Sequence, residues 1–192
     1  MFVMGGIGQK SQSGTSTSGS ATTSTSTTTS TTGNTEKPNY MTDVQTTMRA
    51  FLVDSGDTYD EYIIVRSGTD TGSLTSISDI THFYMSAGYT MEDIESFDVE
   101  SIYPNFNSFS FATKTITEKE TLSGDGYYEV VLEFNNLKRK DNLLALDAAG
   151  ILTIENKNVD NISGDSVCDL IIQQGGQEID KSEYLDRGLP II

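Results

Sequence analysis

The sequence predicts a mainly β protein: an antiparallel sandwich or open barrel with a small helical insert at about 78–96 and an extended N-terminal arm. Three observations predict it. Tyr128, Val130, Leu132 and Phe134 fall on one side of an extended chain and Glu129 and Glu133 on the other, the period-two pattern of a half-buried strand. Gly- and Asp-rich turns recur at roughly 8–12-residue intervals, the spacing of short strands in sandwiches and barrels. Residues 15–32, bounded by Thr15 and Thr32, are Ser or Thr at 16 of 18 positions. A tract of that composition favours extended backbone over helix and has almost no apolar surface to bury.

Residues 1–38 divide into an apolar, glycine-bearing tip (Phe2, Val3, Met4) and the Ser/Thr-rich arm, with the body at 39–192. In the body, Met48, Ala50 and Leu52 share one side of a first strand, and Arg49, Phe51 and Val53 the other. Asp54-Ser55-Gly56-Asp57 has turn chemistry, so residues 59–66 return as a second strand. Ser78 suits the N-cap of a helix over 79–87, closed by Gly88, and Thr90-Met91-Glu92-Asp93 resembles a capping box opening a second short helix to about Ser96. Phe109 and Phe111 then alternate with small residues as a strand, followed by the turn Ser123-Gly124-Asp125-Gly126 and the strand of residues 128–134. Residues 143–146, 151–155, 167–173 and 178–182 read as further short strands. The body is either one domain or two halves meeting near Asn107.

Composition narrows the function classes. The net charge is −16. Between Asp43 and Asn107, 12 acids face only Arg49 and Arg66, a field that repels phosphate backbones and anionic lipid heads. Neither a nucleic-acid nor a membrane partner is expected. Lys138-Arg139-Lys140 is too short for a nucleic-acid patch and reads as a solvated turn. The head lacks the basic n-region and apolar h-region of a signal peptide, and no stretch approaches the ~20 apolar residues of a membrane helix. Synthesis in a host cytoplasm is expected, with the virion as destination.

The motifs that carry chemistry are weak. Cys168 is the one cysteine, so no intrachain disulfide forms, and a small buried hydrophobe is its ordinary role. His82, the one histidine, reads as a packed or surface residue. Ser166 lacks the second glycine of a nucleophile elbow. Gly5-Gly6-Ile7-Gly8 lacks the strand and helix of a phosphate cradle. Asp54, Asp57, Asp60 and Glu61 are a weak calcium candidate, because their spacing misses the EF-hand loop and a polar hairpin turn explains them. The string Phe97, Tyr103, Phe106, Phe109, Phe111 reads as core before docking patch. No catalytic residue, cofactor site or enzyme activity is expected.

What remains is a chain with apolar ends, Phe2, Val3 and Met4 at one terminus and Leu189, Ile191 and Ile192 at the other, and a hydroxyl-rich arm between Thr15 and Thr32. A segment of this kind takes a fixed path when a partner surface imposes it. The expectation is a non-enzymatic structural subunit of a large assembly, a phage-like virion component whose arm threads onto neighbouring protein subunits, homo- or hetero-oligomeric. The alternative is a surface carbohydrate-binding or adhesive β-sandwich module on a Ser/Thr linker.

Overall fold

Apolar runs at residues 50–53 and 62–65, buried on both faces and separated by the turn at residues 56–58, make a long antiparallel hairpin, and the rest of the main sheet is laid against it. The computed structural model describes residues 4–7, 46–158 and 160–190. Its strands are β1 (Met4–Ile7), β2 (Thr46–Ser55), β3 (Tyr59–Gly68), β4 (Leu74–Tyr84), β5 (Ala112–Glu120), β6 (Gly126–Phe134), β7 (Leu152–Ile154) and β8 (Gln177–Glu178). Three helices accompany them: α1 (Met91–Glu95), α2 (Lys140–Ala148) and α3 (Gly164–Gln173). The protein is mainly β. A six-stranded antiparallel sheet has the order β5-β6-β4-β3-β2-β8, and β1 pairs in parallel with β7 in a second, two-stranded sheet. The main sheet draws strands from both sides of residue 107.

The two faces of the main sheet bury different things. Phe51, Ile63, Val65, Ile77, Val130, Leu132 and Phe134 point to one face. There they join Ile94, Tyr103, Phe106, Leu143, Leu146, Val167 and Ile171 in the larger core. Each such side chain taken fully from water contributes roughly 1.5–3 kcal/mol. The other face carries a smaller cluster of Met48, Ala50, Tyr62, Ile64 and Ile80, covered by Ile179, Tyr184 and Leu189 of the C-terminal segment.

Several elements differ from the sequence expectation, each for a packing reason. The helical insert narrows at its start: residues 78–84 belong to β4, followed by a 3-10 turn at Met85–Ala87 and by α1. Ser78 does not cap a helix, because β4 is paired on both sides, with β3 and β6, and two ladders override a local cap. The expected capping box is present, with the Thr90 side chain accepting from the Asp93 backbone N–H and the Asp93 carboxylate accepting from that of Thr90. Residues 167–173 lie in α3 and residues 143–146 in α2 rather than in strands. In α3, Gly164, Val167, Cys168 and Ile171 are buried at helical spacing while Asp165 and Asp169 face water. Gly164 permits this packing, since a Cβ there would sit 1.7 Å from Ser67 Oγ. Phe109 and Phe111 precede β5 rather than form it, and they stack with ring centroids 5.1 Å apart. Tyr103, Phe106 and Phe111 are buried and Phe97 and Phe109 pack against them, as the core reading expected.

Candidate functional site

On the face covered by the C-terminal segment, period-two alternation brings one row of polar side chains into line across four strands. Asp60 of β3 stands opposite His82 of β4, His82 opposite Glu129 of β6, and Glu129 opposite Thr117 of β5. The next row places Tyr84 opposite Tyr127 and Tyr127 opposite Lys119. Above them residues 185–189 close a cavity of about 460 Å³, lined by Asp60, Tyr62, His82, Tyr84, Lys119 and Tyr127 among others. Gly188 makes the closure possible: its φ is +67°, and a Cβ would fall 2.3 Å from the Tyr127 hydroxyl.

The polar groups inside hold one another. The Tyr62 hydroxyl (3.1 Å) and the Tyr84 hydroxyl (2.5 Å) both donate to Asp60 Oδ2, while Oδ1 accepts from Ser55 Oγ at 2.6 Å. Burial, followed by the Asp60 charge, pushes the Tyr62 phenol up to about 12, and burial with the Asp60 hydrogen bond raises that of Tyr84. Both phenols therefore remain donors. Glu129, 5% exposed, accepts from Lys119 Nζ on Oε1 (2.7 Å) and pairs with His82 Nε2 on Oε2 (3.2 Å). Burial alone would raise the Glu129 carboxyl, but hydrogen bonds from His82 and Lys119 outweigh it and hold the carboxyl below its ordinary value. The rings of Tyr62, His82 and Tyr127 run side by side, at centroid distances of 5.1 and 4.5 Å. At the rim stand two exposed apolar side chains, Leu122 (77%) and Leu185 (59%). Phenols, an imidazole and an ammonium group around a cavity of this size can hold a polar, hydroxylated ligand or a partner side chain.

The opposite face holds a second unusual group. Asp79 is buried; its Oδ2 accepts from the Tyr103 hydroxyl at 2.7 Å and its Oδ1 has no hydrogen-bond partner among the described residues. Burial, reinforced by the neighbouring Glu61 charge, pushes its carboxyl up to about 7.

The residues singled out in the sequence are dispersed. Asp54 accepts from the Tyr59 hydroxyl and Asp60 from three hydroxyls, and Asp60 and Glu61, as neighbours in one strand, point to opposite faces. Asp57 lies exposed in the turn. Among the described residues, no group of three or more His, Cys, Asp and Glu side chains is arranged to hold a metal ion. Cys168 is buried on α3 and burial pushes its thiol up to about 12. Lys140 pairs with Asp160 at the start of α2. Leu189 is 3% exposed, packed into the smaller core. Met4 begins β1, whereas Phe2, Val3, Thr15, Thr32, Ile191 and Ile192 lie outside the described residues. No helix among the described residues is long and apolar enough to cross a membrane.

Sequence reasoning missed the Asp60–His82–Glu129 row. The signal was there in the i, i+2 pairs Asp60/Tyr62, His82/Tyr84 and Tyr127/Glu129, but residues 78–84 had to be read as a strand before the three pairs could align.

The sheet also ends in an open edge. β5 pairs with β6 over all nine of its residues, and among the described residues no strand pairs with its other side. Thr113, Thr115 and Thr117 are exposed along it, and Lys114, Glu118, Lys119 and Glu120 supply charges that discourage indiscriminate pairing.

No family model and no curated protein matches this chain. Among solved structures it is similar to one described as the NMR structure of the protein from Streptococcus pneumoniae TIGR4. The identity is 11% over 84% of this chain and 100% of the other, with a TM-score of 0.41. That likeness is too slight to bear on function.

Proposed function

We propose that this protein is a non-enzymatic structural subunit of a large assembly, with a phage-like virion as the class of assembly, and that its N-terminal arm pairs with neighbouring subunits. One observation carries the reading: the nine-residue outer edge of β5, unpaired among the described residues, in a chain whose residues 15–32 are uncharged and almost wholly Ser and Thr. An open edge offers a row of backbone donors and acceptors to an added strand. An uncharged, Thr-rich segment suits that row, since Thr favours extended backbone. Its hydroxyls would meet those of Thr113, Thr115 and Thr117 on the exposed side.

The test compares the full chain with a variant lacking residues 1–38, both made in the producing cell and fractionated on a density gradient. The full chain should sediment with the large assembly while the truncated chain, folded and soluble, stays at the top. Equal sedimentation of the two, or the absence of both from heavy fractions, contradicts the reading.

The cavity beneath residues 185–189 favours a second reading, a carbohydrate-binding or adhesive module, in which the phenols of Tyr62, Tyr84 and Tyr127 would meet a hydroxylated ligand. A glycan-binding screen of residues 39–192 checks it: saturable binding lost in Tyr84→Phe supports it, and no binding rejects it.

A further inference from the structure

The strand β7 (Leu152–Ile154) has one strand partner among the described residues, and that partner is the N-terminal tip. Met4 aligns with Leu152 and Ile7 with Ile154, in parallel, and β1 also lies against α3. A two-stranded sheet this short is marginal by itself. It persists because β7 is part of the core, with Leu152 and Ile154 at 0% and 5% exposure. The body thus provides a socket, and the backbone of residues 4–7, far upstream of β2 in sequence, pairs into it.

The length of chain between β1 and β2 does not dictate whose socket is filled. Residues 8–45 separate β1 from β2, a span of 38 residues (45 − 8 + 1), and at full extension such a chain reaches about 130 Å. A body of some 150 residues has a radius of gyration of only about 15 Å. Between positions 8 and 45 the sequence offers only Ala21, Tyr40, Met41 and Val44 as apolar residues, so its composition provides little to anchor it along its own body. The hydrogen bonds that β1 makes to β7 are the same whether the two belong to one chain or two, so the choice rests on concentration. A tethered segment sees its own socket at an effective concentration on the order of millimolar for short flexible links, falling as the link lengthens. Neighbours packed in an assembly compete at that level.

Resting on the assembly reading above, we infer that in the assembled state residues 4–7 of one copy fill the β7–α3 socket of a second copy of this chain. The exchange passes a strand from each subunit to the next, and the resulting head-to-tail contact can close into a ring or continue as a filament.

The alignment of Ile7 with Ile154 supplies the test, because facing positions on paired strands suit a disulfide. Full-length Ile7→Cys and Ile154→Cys variants are unfolded together, refolded and oxidised; neither alone can link position 7 to position 154. Every variant also carries Cys168→Ala, because the native thiol lies on α3, against which β1 packs, and would compete for the cysteine at position 7. Mass spectrometry should find a heterodimer joined between positions 7 and 154, its yield rising several-fold from micromolar to millimolar protein. The double variant in one chain should correspondingly shift from a closed monomer to covalent oligomers. A double variant that closes only on itself at every concentration, or no bond between these positions, overturns the inference. If assembly needs residues 1–38 while the bond stays within one chain, strand exchange fails and the assembly reading stands. If assembly ignores those residues, that reading fails first.

Discussion

Asp79 is a carboxyl placed where a charge is poorly tolerated, buried on a central strand with Tyr103 as its one hydrogen-bond donor among the described residues and Glu61 nearby. Burial raises its folded pKa from the ordinary 3.8 to about 7. In the unfolded chain it loses its proton near 3.8, so between those values the unfolded state binds fewer protons and stability falls as pH rises. The contribution is fully present below about pH 4 and lost above about pH 7. Asp79→Asn removes this dependence: relative to the parent, its unfolding free energy should improve steadily from pH 4 to pH 7, by a few kcal/mol at most. Denaturant melts across that range check it, and a constant offset between the two proteins would contradict it. Tyr103→Phe strips Asp79 of its remaining donor and should cost about 1–3 kcal/mol in the same melts.

At the scale of the element, two local devices lend themselves to measurement. Thr90→Ala removes half of the capping box on α1 and should destabilise the protein by about 0.5–2 kcal/mol in thermal unfolding. Gly164→Ala forces a methyl group against Ser67 Oγ where α3 meets β3 and should cost about 1–3 kcal/mol or more; an unchanged melting curve would mean that α3 stands further from β3. Elements were legible from sequence where one local signal acted alone. The β2–β3 hairpin, the turn at residues 123–126, β6 and the Thr90 capping box all follow from turn, alternation or capping chemistry within a few residues. Misreadings arose where tertiary context decided. Val167, Cys168, Leu170, Ile171 and Ile172 are β-branched or apolar enough to pass for a strand, and only the one-sided exposure of Asp165 and Asp169 gives the helix away. Ser78 and Asp79 have capping chemistry, yet pairing on both edges of β4 fixes them in a sheet. The cavity was invisible for the same reason, since its row exists only after β3, β4 and β6 are in register.

Over the whole molecule, the charge of −16 and the arm act together. Like-charged bodies repel at long range and are screened within about 8 Å at physiological ionic strength. On the proposed reading, association would therefore come from short-range pairing between the uncharged residues 15–32 and the open β5 edge. Raising salt should promote association of the full chain and leave a protein without residues 1–38 monomeric, as light scattering would report.

The most direct measurement is the rate at which trypsin cuts after Lys10, the basic residue between the tip and the Ser/Thr tract, in isolated and assembled full-length protein. An arm laced into a neighbour should be cut about tenfold more slowly, or slower still, once assembled. Equal rates in the two states would mean that the arm is a bare tether, and the account of this protein as an arm-linked subunit would be wrong.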